Sequence, residues 1–175
     1  MPKSMPKSLQ KLLLAALLAA FAVTPSAFAG DPPDFSGTWV LDIDASDSPD
    51  EYLKAQGASL LERKAVSSMV VTLTIAQTPE KVTVNVSSAV KSDLQEQVMD
   101  NTVRTETTDT GPAQVKHYWT DEGAMTSVMS VANKDGEPVT QVTTRTLSGA
   151  TMTQVISVTK ADGTSVSMNR IFRKQ

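Results

Sequence analysis

From Val70 onward, short runs rich in valine and threonine alternate with turn signals, and this pattern constrains the fold most strongly. Each run has the length and alternation of a β-strand, and Gly, Pro, Asn or Asp marks most of the breaks. Because every connection is short, consecutive strands must pair antiparallel. The predicted strands are Val70–Gln77, Val82–Val90, Asp93–Met99, Thr102–Thr108, Val115–Thr120, Ala124–Ala132, Val139–Leu147, Met152–Thr159 and Ser165–Phe172.

One more strand, Phe35–Ile43, opens the domain and carries Trp39 near its start. Ten antiparallel strands without a second helical layer leave a sandwich or a closed barrel as the practical choices. The short, regular turns favour a barrel, and closure at about eight to ten strands leaves room for one small ligand. We therefore predict an all-β fold, a ten-stranded antiparallel up-and-down β-barrel.

The segment between the first two strands is helical. Ser48 with Glu51, and Ser59 with Glu62, have the spacing of capping boxes, and a glycine between them suits the end of a first helix. We predict two short helices, Pro49–Gln56 and Leu60–Ser68. Leu61, Ala65 and Met69 recur at intervals of four residues, so we expect the pair to bury one apolar face as a lid or a plug.

The N-terminus has the pattern of a cleavable signal peptide. Three lysines precede the apolar run Leu12–Val23, and an A-x-A cleavage site ends at Ala29. We expect residues 1–29 to be removed and 30–175 to form one domain, periplasmic or secreted. The chain has no cysteine for a lipid anchor.

Composition excludes several classes of protein. Without cysteine, the chain has neither disulfides nor a thiolate metal site, and its net charge of −3 is unlike that of a nucleic-acid binder. No catalytic or phosphate-binding motif is present, so we predict a non-enzyme with no catalytic residues, metal or cofactor. The single histidine, His117, leaves one alternative, an enzyme that uses the barrel as a pocket around it.

The last strand places a charge among apolar residues. Alternation puts Met168, Arg170 and Phe172 on one face, and Arg145 lies on the apolar face of an earlier strand. A partly buried arginine needs an acceptor, and a carboxylate matches it best. Two inward arginines would favour an anionic ligand head group.

Structural explanations for the arginines remain open. Arg170 could stack on the Trp39 ring or pair with Glu106. Arg145 would point outward if the strand register shifted by one residue.

Several motifs resemble a known family. Phe35–Leu41, Asp50–Gly57 and Arg63-Lys64 are similar to F-x-G-T-W-K-L, D-D-Y-M-K-x-x-G and R-K at the start of the fatty-acid-binding proteins, a calycin family related to lipocalins. The G-T-W opening and the end Asn169–Gln175 also resemble exported bacterial lipocalin-like proteins. In the fatty-acid-binding proteins, ten strands form a flattened barrel, two helices cap its mouth, and a fatty acid lies inside.

The resemblance implies a binding site. The family holds the ligand carboxylate with R-x-Y on the final strand and an arginine about two strands earlier, which correspond to Arg170 and Arg145. Phe172 stands at the tyrosine position and cannot donate the hydroxyl hydrogen bond, a loss of about 1–3 kcal/mol of head-group binding. Val90 stands where the family has a portal phenylalanine. The predicted ligand-binding residues are Arg145, Arg170, Phe172, Met168, Leu53 and Val90.

These observations lead to two hypotheses. The first is a carrier that binds a fatty acid or another small hydrophobic anion in the periplasm, acts as a monomer, and contacts membranes transiently through its lid. The second is an envelope structural or protein-interaction module whose barrel is filled by its own side chains.

Overall fold

The computed structural model describes residues 30–175 and contains ten strands and two helices there. The predicted signal peptide lies outside the described residues. The helices α1 (Asp50–Ala55) and α2 (Leu60–Ser67) lie between the first two strands. The strands are β1 (Gly37–Asp42), β2 (Thr72–Gln77), β3 (Lys81–Ser87), β4 (Ser92–Val98), β5 (Arg104–Thr108), β6 (Gly111–Trp119), β7 (Met125–Ala132), β8 (Pro138–Ser148), β9 (Thr151–Lys160) and β10 (Ser165–Lys174).

All ten strands form one antiparallel sheet in the order β4-β3-β2-β1-β10-β9-β8-β7-β6-β5. The first strand pairs with both the second and the last, so the sheet curls around an interior. The predicted ten-stranded up-and-down fold with two helices after the first strand is confirmed. Within residues 30–175, no ladder of hydrogen bonds joins β4 to β5, and only a salt bridge of 3.3 Å between Lys91 and Asp109 links the turns at their ends.

One predicted turn is too long. Because Gly111 adopts a φ of 122°, the chain reverses directly after β5, and Gly111 already pairs with Thr108. The sixth strand therefore begins at Gly111 instead of the predicted Val115.

Large apolar side chains fill one part of the interior. They come mainly from β1, β2, β3, β9 and β10, and we call this cluster the apolar core. The Trp39 indole N–H donates to the Phe35 carbonyl over 2.9 Å, so this buried polar group is satisfied. The members of the apolar core are Phe35, Trp39, Leu41, Leu73, Ile75, Val82, Val84, Met125, Met152 and Phe172.

The first helix is fixed to the barrel. Ala55 packs against Val139 and Val158. The Tyr52 hydroxyl donates to the Gln141 carboxamide oxygen over 2.7 Å, and the Gln56 amide donates to the same oxygen over 3.0 Å. The predicted cap at Ser48 is wrong: Pro49 holds the N-cap position of α1, and no side chain caps the helix.

The second helix is held mainly by polar contacts. Its predicted capping box of Ser59 and Glu62 is confirmed. It has no buried residue, and Leu61 is 79% exposed, so the prediction that its apolar face is buried is wrong. Ion pairs attach the helix to its surroundings instead: Glu62 pairs with Lys134, and Arg63 with Asp50. Neither described helix is long and apolar enough to cross a membrane.

Candidate ligand cavity

A cavity of about 440 Å³ lies beside the apolar core, against the inner faces of β4 to β8. Alternation directs every second side chain of these strands inward, but here most of the inward residues are polar. We call the following set the polar wall: Gln97, Glu106, His117, Ser127, Thr143 and Arg145.

Arg145 is the buried cation of this wall. It opposes Met125 on one neighbouring strand and Gln154 on the other, and it is 5% exposed, so the outward register is wrong. Its Nε donates to the Gln154 carboxamide oxygen over 2.7 Å. Its Nη1 is buried and has no hydrogen-bond partner in the described part of the chain. Burial lowers the pKa of Arg145 to about 10, so the guanidinium is still charged at pH 7.

Arg170 also points inward. It opposes Gln154 from the other side, so this glutamine lies between the two arginines across three adjacent strands. Burial lowers the pKa of Arg170, and nearby Tyr52 acts in the opposite direction.

Both structural explanations for Arg170 are wrong. The cation over the Trp39 ring is Lys174, whose Nζ lies 5.2 Å from the ring centroid. Among residues 30–175, no salt bridge joins Arg170 to an acid, and Glu106 instead approaches His117.

The other predicted ligand-binding residues lie away from the cavity. Phe172 and Met168 are 1% and 3% exposed, and Phe172 is packed in the apolar core because the large side chains of β1 and β9 surround it. Leu53 is half-buried on α1, and Val90 is 77% exposed in the turn between β3 and β4. Of the six predicted residues, only Arg145 lines the cavity. A role of the others in binding stays a prediction.

His117 is a second element of the wall. Its Nδ1 lies 2.8 Å from the Ser127 hydroxyl oxygen, and its Nε2 lies 3.9 Å from a carboxylate oxygen of Glu106. That negative charge favours the proton on Nε2, so Nδ1 accepts from the serine. Burial lowers the pKa of His117, which outweighs the opposite effect of Glu106 and leaves the ring neutral at pH 7.

The sequence interpretation missed Gln97 and Ser127. Gln97 is 2% exposed on β4, whose sequence SDLQEQV has no apolar alternation to mark an inner face. Its position follows only from pairing with Val82 of the apolar core. Within residues 30–175, no group of three or more His, Cys, Asp or Glu side chains is arranged to hold a metal ion.

No protein-family model and no curated protein matches the chain. Solved structures do match. The REP1-NXSQ fatty acid transporter is 21% identical, with 80% of this chain and 95% of that chain covered and a TM-score of 0.64. Human cRBP IV is 18% identical, and the alignment covers 82% of this chain and 100% of that chain with a TM-score of 0.65.

The fatty acid binding protein of Schistosoma mansoni in complex with arachidonic acid is 21% identical, with 83% and 99% covered and a TM-score of 0.63. At these identities the likeness establishes the fold. The described chain therefore has the lipocalin-like fold of the fatty-acid-binding and cellular retinol-binding proteins.

Proposed function

We propose that this protein binds a fatty acid or a similar small amphipathic anion inside its barrel, as a non-catalytic carrier in the periplasm. The observation that carries the proposal is Arg145, a buried cation that lines the cavity and forms no salt bridge with a carboxylate of residues 30–175. The solved structures that resemble this chain include a fatty acid transporter and a fatty acid binding protein with bound arachidonic acid, and this likeness supports the same ligand class.

The energetics of Arg145 favour an anionic ligand. Burial of a charge costs several kcal/mol unless an opposite charge and hydrogen bonds offset it. Gln154 supplies one acceptor and no charge. A ligand carboxylate would supply both, in the planar geometry that suits a guanidinium.

Delivery of the ligand would involve α2. Leu60 and Leu61, at the start of α2, are 58% and 79% exposed, and Lys64 follows one turn later. We propose that α2 contacts membranes transiently and that the protein works as a monomer. Replacing Leu61 by Gln should slow transfer of a fluorescent fatty acid from anionic vesicles and leave its equilibrium affinity unchanged.

A titration with a fluorescent fatty acid tests the binding site. Arg145→Met should weaken binding on the order of 10- to 100-fold, because it removes a charged hydrogen-bond donor. Arg173→Met is the matched control, since Arg173 lies on the outer face and pairs with Asp42 over 3.0 Å. Unchanged affinity of Arg145→Met would refute the head-group assignment.

The filled-barrel alternative has its own support. The apolar core occupies part of the interior with side chains such as Trp39 and Phe172, which are each 1% exposed. This alternative, an envelope structural or interaction module, expects no bound lipid. Native mass spectrometry of protein from its own periplasm separates the two, because the carrier should retain a ligand mass. Recovery of the protein in the periplasmic fraction tests export, and its mass tests the removal of residues 1–29.

A further inference from the structure

Three unpartnered polar atoms border the same cavity. They belong to Gln97, His117 and Arg145, which line the cavity as residues, and they are the Gln97 carboxamide oxygen, Nε2 of His117 and Nη1 of Arg145. Each of these atoms is buried and has no hydrogen-bond partner in the described chain. The three residues are 2%, 6% and 5% exposed. Buried polar groups are nearly always paired, so three such atoms around one cavity indicate a ligand with matching groups.

The hydrogen-bonding character of the three atoms is defined. Arg145 can only donate. His117 also donates from Nε2, because Nδ1 accepts from Ser127 and the Glu106 carboxylate favours a proton on Nε2. The Gln97 oxygen can only accept. The three unpartnered atoms are therefore two donors and one acceptor.

The three atoms lie at two places around the cavity, with Gln97 and His117 at one and Arg145 at the other. Gln97 on β4 and His117 on β6 belong to strands that contact each other across the open side of the sheet. Arg145 lies farther round, on β8, beyond the intervening β7. A ligand that satisfies all three atoms therefore needs polar groups at two places.

A simple fatty acid does not meet this requirement. Its carboxylate satisfies Arg145, but it has no hydrogen to donate to Gln97. A hydroxyl group donates one hydrogen bond and accepts others, so it can pair with both Gln97 and His117. We propose that the preferred ligand is a hydroxylated carboxylic acid, with its carboxylate at Arg145 and its hydroxyl at Gln97 and His117. This inference rests on the proposed function.

The rest of the wall agrees with a polar ligand. Glu106, Ser127 and Thr143 of the wall also line the cavity, so few of its surfaces suit an unsubstituted alkyl chain. A site built to bind a hydroxyl discriminates strongly against the analogue that lacks it, since its own polar groups then stay unpaired.

Calorimetric titration of the full chain with decanoate, 3-hydroxydecanoate and 10-hydroxydecanoate tests the proposal. At least one hydroxydecanoate should bind about tenfold more tightly than decanoate or better. In Gln97→Met, this preference should fall to within about twofold, while the affinity for decanoate is retained. Gln114→Met is the matched control, because Gln114 is an exposed glutamine on the neighbouring β6.

The outcomes separate this inference from the proposed function. Equal binding of all three acids by the wild-type protein, or a preference retained in Gln97→Met, overturns the inference and leaves fatty-acid binding intact. Failure of all three acids to bind overturns both. The wild-type comparison decides the matter even if Gln97→Met does not fold.

Discussion

The apolar core and the polar wall lie in the same sheet and follow the same alternation, yet they differ in how well they are packed. In the core, Trp39 and Phe172 are 1% exposed, and the Trp39 indole has its hydrogen bond. In the wall, Arg145 and His117 are 5% and 6% exposed, but each has a nitrogen without a hydrogen-bond partner among residues 30–175. Closely packed apolar groups and unsatisfied polar groups therefore occupy different parts of one interior.

This division has an energetic basis. Each large apolar side chain of the core contributes about 1.5–3 kcal/mol through burial. Each unsatisfied polar atom of the wall costs about 1–3 kcal/mol. The wall is thus a place where the fold gives up stability, and a ligand would restore part of it.

The largest expected effect lies in the core. Trp39→Ala should lower the free energy of unfolding by about 3–5 kcal/mol, because it leaves a cavity among closely packed side chains. Urea denaturation measures this loss. Val155→Ala, at a residue that is 37% exposed on β9, is the control and should change stability little. A loss below about 1 kcal/mol for Trp39→Ala would mean that the core does not dominate stability.

Replacement of a charged residue of the wall should increase the free energy of unfolding, whereas replacement of a core residue decreases it. Arg145→Met should raise the free energy of unfolding by about 1–2 kcal/mol, because the removal of a buried charge without an opposite charge outweighs the loss of its hydrogen bond to Gln154. Denaturation without ligand, beside the exposed-arginine variant Arg173→Met, measures the gain. Destabilisation by Arg145→Met would place this residue with the core and remove the distinction between the two regions.

The local stability of α2 should be independent of the apolar core and of the polar wall. Ser59→Ala removes the capping serine and should cost about 1 kcal/mol, confined to α2. Amide hydrogen exchange should speed up in α2 only. Ser48→Ala is the control, because Ser48 accepts only a 3.4 Å hydrogen bond from the Asp50 amide. Faster exchange in the strands of the wall would show that α2 and the cavity are coupled.

The smallest effect should come from His117. Burial lowers its pKa in the folded protein, so the unfolded chain binds this proton at a higher pH. The buried, neutral His117 ring therefore contributes its full stabilisation above the ordinary pKa of about 6.5, and this contribution falls as the pH is lowered below that value. Urea midpoints between pH 7 and 5 measure the slope, which should be shallower in His117→Phe. Equal slopes would mean that the wall does not sense pH through His117.

The sequence predicted the architecture because its signals are local. Turn residues separate the strands, and the apolar neighbours of Arg145 and Arg170 mark their inner faces. The cavity could not be predicted in the same way. Whether Phe172 fills space or borders it depends on the sizes of Trp39 and Met152, which are distant in sequence. Gln97 lies on a strand without an apolar face, so only the pairing partner gives its direction.

The open side of the sheet has a consequence for solubility. Because β4 and β5 do not pair, each presents a row of free backbone groups to which a second copy of the chain could add as a strand. Glu96 on β4 is neutralised by Lys81, but Asp93 on β4 and Glu106 on β5 form no salt bridge with a Lys or Arg of residues 30–175, so these two negative charges make two copies repel each other along the edges. Salt screens such charges beyond about 10 Å at 0.1 M, so high ionic strength weakens this protection against aggregation.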